Sequence, residues 1–302
     1  MSGAATACAM LELILQTCVN ALVASSFTAL VAVGLVLIFG VMGIVNFAHG
    51  ELFMVGAFVV WYLFAILGIP FLLAVVAAIA VVALIGAVME RFLFRPMRTN
   101  PLGGLIMSVG TLFILQFLAL EFGGGTGRAK HVTPAWRGVI EVFGIPGVTA
   151  PVQRLAVIAV SILLLGGLWL FLHRTKTGWA LRACAQDPEA AALQGISINR
   201  FAMLAMVLGA GLAGGAGAVM APLVPVEPSM GHAVIVTAFI VIIVGGIGSV
   251  EGAVLAAVIY TFFHTFVTTF VDGTIASILG LIIMMLVLVI KPTGLMGTRE
   301  KV

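Results

Sequence analysis

Between apolar runs, the stretch "GIVNFAHGELFMVG" (43–56) places Asn46, His49 and Glu51 close together. An amide, an imidazole and a carboxylate could serve proton transfer, metal ligation or recognition of a polar solute. Metal fits least well. His49 and Glu51 stand two residues apart, so their side chains diverge on a helix, and a zinc site needs three or four ligands. Covalent and hydrolytic chemistry lack their parts as well. The chain has no H-E-x-x-H pair and no G-x-S-x-G elbow, and its only aspartates are Asp187 and Asp272. Catalytic residues: none; metal: none. Cys8, Cys18 and Cys184 are too scattered for a disulfide framework or a metal motif, and they read as small apolar packing.

The setting of these residues decides between the remaining uses. Hydrophobic residues make up 63% of the 302 and charged residues 8%, with a mean hydropathy of +1.29. A soluble domain is nearer half apolar and a quarter charged, because its exterior must be wetted. The apolar runs are long and do not alternate, which favours helices of about 20 residues over barrel strands. The fold expected is all-α: a polytopic membrane protein of about eight to ten transmembrane helices. Gly, Pro and charge mark spans near 21–42, 47–67, 70–90, 105–122, 152–172, 201–222, 233–248, 252–270 and 274–290. Residues 10–20 carry Glu12, Gln16 and Asn20 four apart, the face of an interfacial lead-in helix. The first Lys or Arg is Arg91, so the basic region of a cleavable signal peptide is missing.

Basic residues orient the spans. Arg91, Arg95 and Arg98; Arg174, Lys176, Arg182 and Arg200; and Lys291, Arg299 and Lys301 fall on one side of the nine-span count. The positive-inside rule makes that side cytoplasmic, with the N-terminus outside and the C-terminus inside. Arg128, Lys130, Arg137 and Arg154 lie on the other face, in a long 123–154 segment that tolerates charge. Its "GGGTGRAK" lacks the P-loop spacing and reads as a flexible external loop. The net charge of +3 is therefore a topological signal, not a nucleic-acid patch.

Two readings of 43–56 stand side by side. One is a broken helix whose ends and side chains line a translocation path. Retaining ionisable groups at membrane depth suggests a task, since each costs at least a few kcal/mol. The other is a short cytoplasmic turn in which Asn46 or His49 caps the next helix and Glu51 favours its dipole. The span count, placing the stretch near the cytoplasmic face, leans toward the turn. Overlaying 43–58 on 245–260 aligns Gly50 with Gly252 and brings Gly248 and Glu251 into the same frame, Glu251 as a second cap. This is a weak internal repeat (roughly 20–123 and 201–290) within a single domain, 1–302. Shared composition of Gly-rich helices explains it equally well. His131, His173, His232 and His264 look isolated, in loops or at helix ends. Asp272 with Gly273 reads as a turn.

The most informative polar stretch is "HRTKTGWALRACAQDPEAAALQGISINR" (173–200). Asp187 suits an N-cap, Pro188 the first helical position and Glu189 the positive end of the dipole. Ala190 and Ala191 continue the helix and Gly195 stops it. Such a helix, with Ala190, Ala191, Ala192, Leu193 and Trp179 offered to water, reads as a docking element and not as a plain connecting loop.

"EAAALQG" has the EAA-x-x-x-G pattern of the loop on which ABC-importer permeases receive their ATPase. The surrounding segment, "GIVNFAHGELFMVGAF", "GGIGSVEGAV" and the closing "KPTGLMG" resemble branched-chain amino acid permeases of the LivH type. The resemblance implies a permease subunit of an ATP-driven importer in a bacterial inner membrane, with broken helices and a cytoplasmic coupling helix. It implies Asp187, Pro188, Glu189, Ala190, Ala191 and Gly195 as coupling residues. Asn46, His49, Gly50, Glu51, Gly248, Glu251 and Gly252 become candidates for path or gate. The implied partners are two ATP-binding subunits, a second homologous permease subunit, a periplasmic substrate-binding protein and the lipid bilayer. ATP and Mg would sit on the partner ATPase subunits, with no cofactor in this chain. A stand-alone secondary transporter or channel is the alternative, and a urea or short-amide permease of the same family is another.

Overall fold

The computed structural model describes residues 2–98, 100–125, 127–141 and 148–297, with backbone alone for 2–8. The basic tail residues Arg299 and Lys301 and the Cys8 side chain lie outside that description. The long helices are α1 (Ser2–Met42), α2 (His49–Val60), α3 (Phe71–Met89), α4 (Pro101–Phe122), α5 (Val152–Arg174), α8 (Ile198–Met220), α9 (Met230–Gly245), α10 (Val250–Phe270) and α11 (Gly273–Ile290). Short helices α6 (Lys176–Gln186) and α7 (Pro188–Leu193) stand between α5 and α8. A small hairpin, β1 (Val139–Glu141) paired antiparallel with β2 (Thr149–Pro151), is the described sheet. Helix α2 runs on as a π-helical turn, Trp61–Ile66, and α3 as another, Glu90–Phe94.

Among the described residues, eight helices are long and apolar enough to cross a membrane, and α9 is a shorter apolar one of 16 residues. The chain is an all-α polytopic membrane protein. Its first helix differs from expectation. Residues 10–20 form no separate interfacial segment, because nothing in them breaks the helix and α1 runs unbroken for 41 residues. At 1.5 Å per residue that is roughly 60 Å, about twice a hydrocarbon core. The polar face at its start docks on protein: Gln16 Oε1 accepts from the Thr149 N–H at 3.0 Å, and Arg154 donates to Asn20.

Contacts sort the connections into two ends. Gly40 near the end of α1 packs on Ala185 of α6. His173 lies 3.6 Å from Glu251, Arg98 binds Asn199, and Leu295 and Met296 donate to the Val244 and Gly245 carbonyls. The 91–98, 173–200 and 291–297 segments thus share one end. At the other end Lys130 pairs with Val226 through backbone bonds and lies over the Trp61 ring, near the Gln16–Thr149 contact.

Helix α8, "INRFAMLAMVLGAGLAGGAGAVM", sits at the centre, and its small residues explain how. Inside lipid the hydrophobic effect does not press helices together, so close backbone packing must do it. Gly209 faces Gly34 of α1, Gly214 faces Gly56 of α2 and Val82 of α3, and Gly217 lies against the Phe53 carbonyl. Any β-carbon at Gly217 would overlap that backbone oxygen.

At the shared end, Glu90 is fully buried and holds two guanidiniums. Arg95 Nη2 reaches it at 3.0 Å and Arg98 Nη2 at 2.9 Å, while Arg98 Nη1 binds Asn199 Oδ1 at 2.6 Å. This network ties the end of α3 to the start of α8. Two predictions follow from this packing. Gly217→Val overpacks α8 against α2 and should cost on the order of 3 kcal/mol, seen as loss of monodisperse protein in detergent. Glu90→Leu should cost roughly 2 kcal/mol, less than the about 3–5 of a fully buried pair, because the arginines can regain water. Thermal unfolding of the purified chain, with Glu90→Gln alongside, measures it.

Candidate translocation site and coupling helix

The stretch that opened the sequence analysis is neither a surface turn nor a simple cap. Helix α1 ends at Met42, and the irregular residues 43–46 with the turn at 47–48 then lead back along α4 into the protein. Ile44 packs against Gly104, the Ser108 hydroxyl accepts from the Phe47 N–H at 3.2 Å, and Glu51 meets Gln116. Gln116 lies about 22 Å along α4 from Pro101. His49 donates Nε2–H to the Val31 carbonyl at 3.1 Å, about 16 Å back from the end of α1. The placement of Asn46, His49 and Glu51 near the membrane face is thus corrected: all three are fully buried, far inside the helix ends. A count of apolar spans does not register this, because the irregular residues 43–48 that turn back are nearly as apolar as the helices on either side.

Each polar residue has a different neighbour. Asn46 Oδ1 accepts from the Ala48 N–H at 3.1 Å, closing the turn into α2. His49 points to α1 and does not cap. Glu51 points the other way, its carboxylate against the Cα of Gly231 in the first turn of α9. Glu51 therefore sits at the N-terminal ends of two interrupted helices, α2 and α9, each equivalent to roughly half a positive charge. Gly50 is required there, since a β-carbon would overlap the Gly231 carbonyl.

Gln116 and His232 were missed as partners. The Gln116 amide nitrogen donates to Glu51 Oε1 at 3.0 Å and to His232 Nδ1 at 2.8 Å, which leaves the imidazole hydrogen on Nε2. His232 is thus not isolated, nor is His173. The available signal was Gln116 itself, a lone amide in the apolar run "TLFILQFLAL". Three buried atoms in this region, Asn46 Nδ2, His49 Nδ1 and Glu51 Oε2, have no hydrogen-bond partner among the described residues. A cavity of about 220 Å³ lies beside it between α1, α9 and α10, with Thr28, Val31, Thr237, Thr261 and His264 on its wall. The Thr261 hydroxyl is also buried and unpaired.

Gly248, Glu251 and Gly252 lie elsewhere, in the turn into α10 at the end shared with α6. The cap of α10 is Ser249, whose hydroxyl accepts from the Gly252 N–H at 3.0 Å. Glu251 is not a cap but faces His173, and Gly252 packs on the Gly245 carbonyl. Nothing re-enters the protein at this second break.

Residues 176–196 form two short capped helices. Thr175 caps α6 through Gly178, and the inward face of α6 buries Leu181 and Cys184. Burial pushes the Cys184 thiol pKa up, which keeps it unreactive. Asp187 Oδ1 accepts from the Ala190 N–H at 2.9 Å, Pro188 and Glu189 fill the first turn, and Gly195 ends α7 at φ +80°. Ala191 turns inward and is buried, which corrects its expected exposure: one residue in each turn of so short a helix must face its support. Ala190, Ala192, Leu193 (86% exposed) and Trp179 (59%) are exposed as expected. Asp272 caps α11 through Thr274 and Ile275, and those N–H groups hold its carboxyl below the usual carboxylate range.

Comparison with known proteins agrees with this architecture. The family described as "Branched-chain amino acid transport system / permease component" matches residues 17–290. The high-affinity branched-chain amino acid transport system permease protein BraD of Pseudomonas aeruginosa is 32% identical over 296 residues, covering 95% of this chain and 96% of its own. The corresponding LivH of Escherichia coli is 30% identical over 299 residues, with 95% and 96% covered. The probable LivH permease of Methanocaldococcus jannaschii is 28% identical, with 93% and 92% covered. No solved structure matches the chain. On the family match and these near full-length similarities, the chain belongs to the branched-chain amino acid transport system permease component family.

Proposed function

We propose that this chain is a permease subunit of an ATP-driven importer in a bacterial inner membrane, forming part of the path for branched-chain amino acids or related small polar solutes. The observation that carries the proposal is α7. This short helix, capped at both ends, leaves Leu193 exposed, and Trp179 of the adjoining α6 is exposed as well, at the end where the basic segments gather; exposed apolar residues of this kind mark a docking surface. Two ATP-binding subunits would receive it, with Mg and ATP held on them. A second homologous permease subunit and a periplasmic binding protein complete the assembly. By the positive-inside rule the α7 end is cytoplasmic, with the N-terminus outside and the C-terminus inside.

The mechanical reading follows from connectivity. A push on α7 reaches α8 through residues 194–197 and reaches α3 through Asn199, Arg98 and Glu90. Helix α8 packs on α1, α2 and α3 through glycine contacts, so its displacement moves the re-entrant α2 and the Asn46–Glu51 stretch. These residues act as path or gate in this scheme, with Gly50 permitting the contact between α2 and α9. Gly248, Glu251 and Gly252 act near the cytoplasmic rim, where His173–Glu251 links α5 to α10.

Reconstitution with the neighbouring ATPase, permease and binding-protein subunits tests the reading: ATP-dependent uptake of labelled leucine, isoleucine or valine is expected. Glu189→Lys with Gly195→Leu should cut uptake at least tenfold while nucleotide binding by the ATPase persists. Full uptake by that double variant would mean that α7 is not the coupling element. His49→Ala should lower uptake several-fold with ATPase association intact, since it removes the tie from α2 to the Val31 carbonyl of α1, a hydrogen bond of about 0.5–1.5 kcal/mol. Unchanged uptake across substrate concentrations would remove His49 from the gate.

A further inference from the structure

Glu51 lacks a fixed cation. The buried carboxylates among the described residues are Glu51 and Glu90. Glu90 has two arginines at 3.0 and 2.9 Å. Glu51 has an amide at Oε1, an imidazole 3.6 Å away whose facing nitrogen accepts from that same amide, and nothing on Oε2. The two helix N-termini make the charge tolerable without giving Oε2 a donor. A buried carboxylate that keeps an open acceptor suits a cation that comes and goes.

Glu51 is buried behind Gln116 and His232, and those two residues line a groove that fits the rest of such a molecule. Phe113, Phe117, Leu120 and Pro228 line a shallow, open groove of about 360 Å³ beside Gln116 and His232. Gln116 Oε1 and His232 Nε2 make no hydrogen bond among the described residues. His232 is more than half exposed here, and a polar pair at membrane depth belongs against protein or water and not lipid. In the assembly proposed above, the second permease subunit closes that open side.

We propose that Glu51, Gln116 and His232 form a transit subsite for an aliphatic zwitterion. The substrate ammonium displaces the Gln116 amide from Glu51 Oε1 and supplies the donor that Oε2 lacks. Gln116 Oε1 accepts from the same ammonium, His232 Nε2–H donates to the substrate carboxylate, and the apolar groove takes the aliphatic side chain. The assignment rests on the importer reading and deepens it by naming where the solute is held.

The test uses the assembled complex in nanodiscs without binding protein, both nucleotide-free and locked with a non-hydrolysable ATP analogue. Saturation-transfer NMR compares isoamylamine, which keeps the ammonium of leucine, with 4-methylpentanoate, which lacks it. Isoamylamine should bind in at least one state and be displaced by leucine, and 4-methylpentanoate should bind at least tenfold more weakly. Glu51→Gln keeps the acceptor and the shape but removes the charge, and it should weaken amine binding roughly tenfold or more, as loss of a charge-assisted hydrogen bond implies. Should that variant fail to assemble, Gln116→Leu on the groove wall should show the same loss of amine binding, whereas His232→Phe should spare the amine and weaken its displacement by leucine, whose carboxylate His232 would hold. Wild-type amine binding in neither state, equal binding of the two probes, or undiminished amine binding by Glu51→Gln or Gln116→Leu would overturn the subsite. Leucine uptake by the wild-type complex with ATP and binding protein is measured separately. Its absence would sink the importer reading, whatever the amine does.

Discussion

Unwound backbone survives inside a bilayer only where protein meets its hydrogen-bonding groups, and residues 43–48 impose that demand on everything around them. The Ser108 hydroxyl serves the Phe47 N–H, Asn46 serves the Ala48 N–H, and the His49 ring reaches the Val31 carbonyl of an intact helix. Each partner comes from a different place: α4, the segment itself and α1. The re-entrant stretch therefore fixes how α1, α2 and α4 are arranged, and it starts α2 deep in the protein. That start brings the N-terminal ends of α2 and α9 together, and a carboxylate can be buried between them.

Close backbone packing makes this arrangement compact. Helix α8 presents glycine to α1, α2 and α3 at successive turns, and side chains of ordinary size at those positions would push the three helices apart. Tight backbone contact also carries displacement well, since packed interiors yield little. The same helix begins four residues after α7 ends and is tied at its start to Glu90 through Arg98 and Asn199. The exposed helix α7, the glycine-packed α8 and the buried polar site thus lie along one continuous chain of contacts.

Much of this was legible beforehand because the signals are local. The apolar runs, the Asp187 cap with Pro188 and Glu189, and the Gly195 stop depend on neighbours in sequence, and they appear where expected. Long-range features were not legible. Glu90 drew no notice in the sequence, though Arg95 and Arg98, five and eight residues on, both reach it in its buried position. His232 looked isolated, since its partners are 116 and 181 residues away. Glu251 looked like a cap, though Ser249 two positions earlier takes that bond and leaves Glu251 for His173.

By itself the sequence determined the class of protein: hydropathy leaves no alternative to membrane helices, and helix caps and stops are written in adjacent residues. It also marked Asn46, His49 and Glu51 as costly enough to need a reason. Only the tertiary structure decided where they lie. A chain that turns back into the membrane and one that merely turns at its surface share the same hydropathy. What separates them is whether hydroxyls, amides and carbonyls on other helices stand ready to meet the backbone, and no local pattern records those partners.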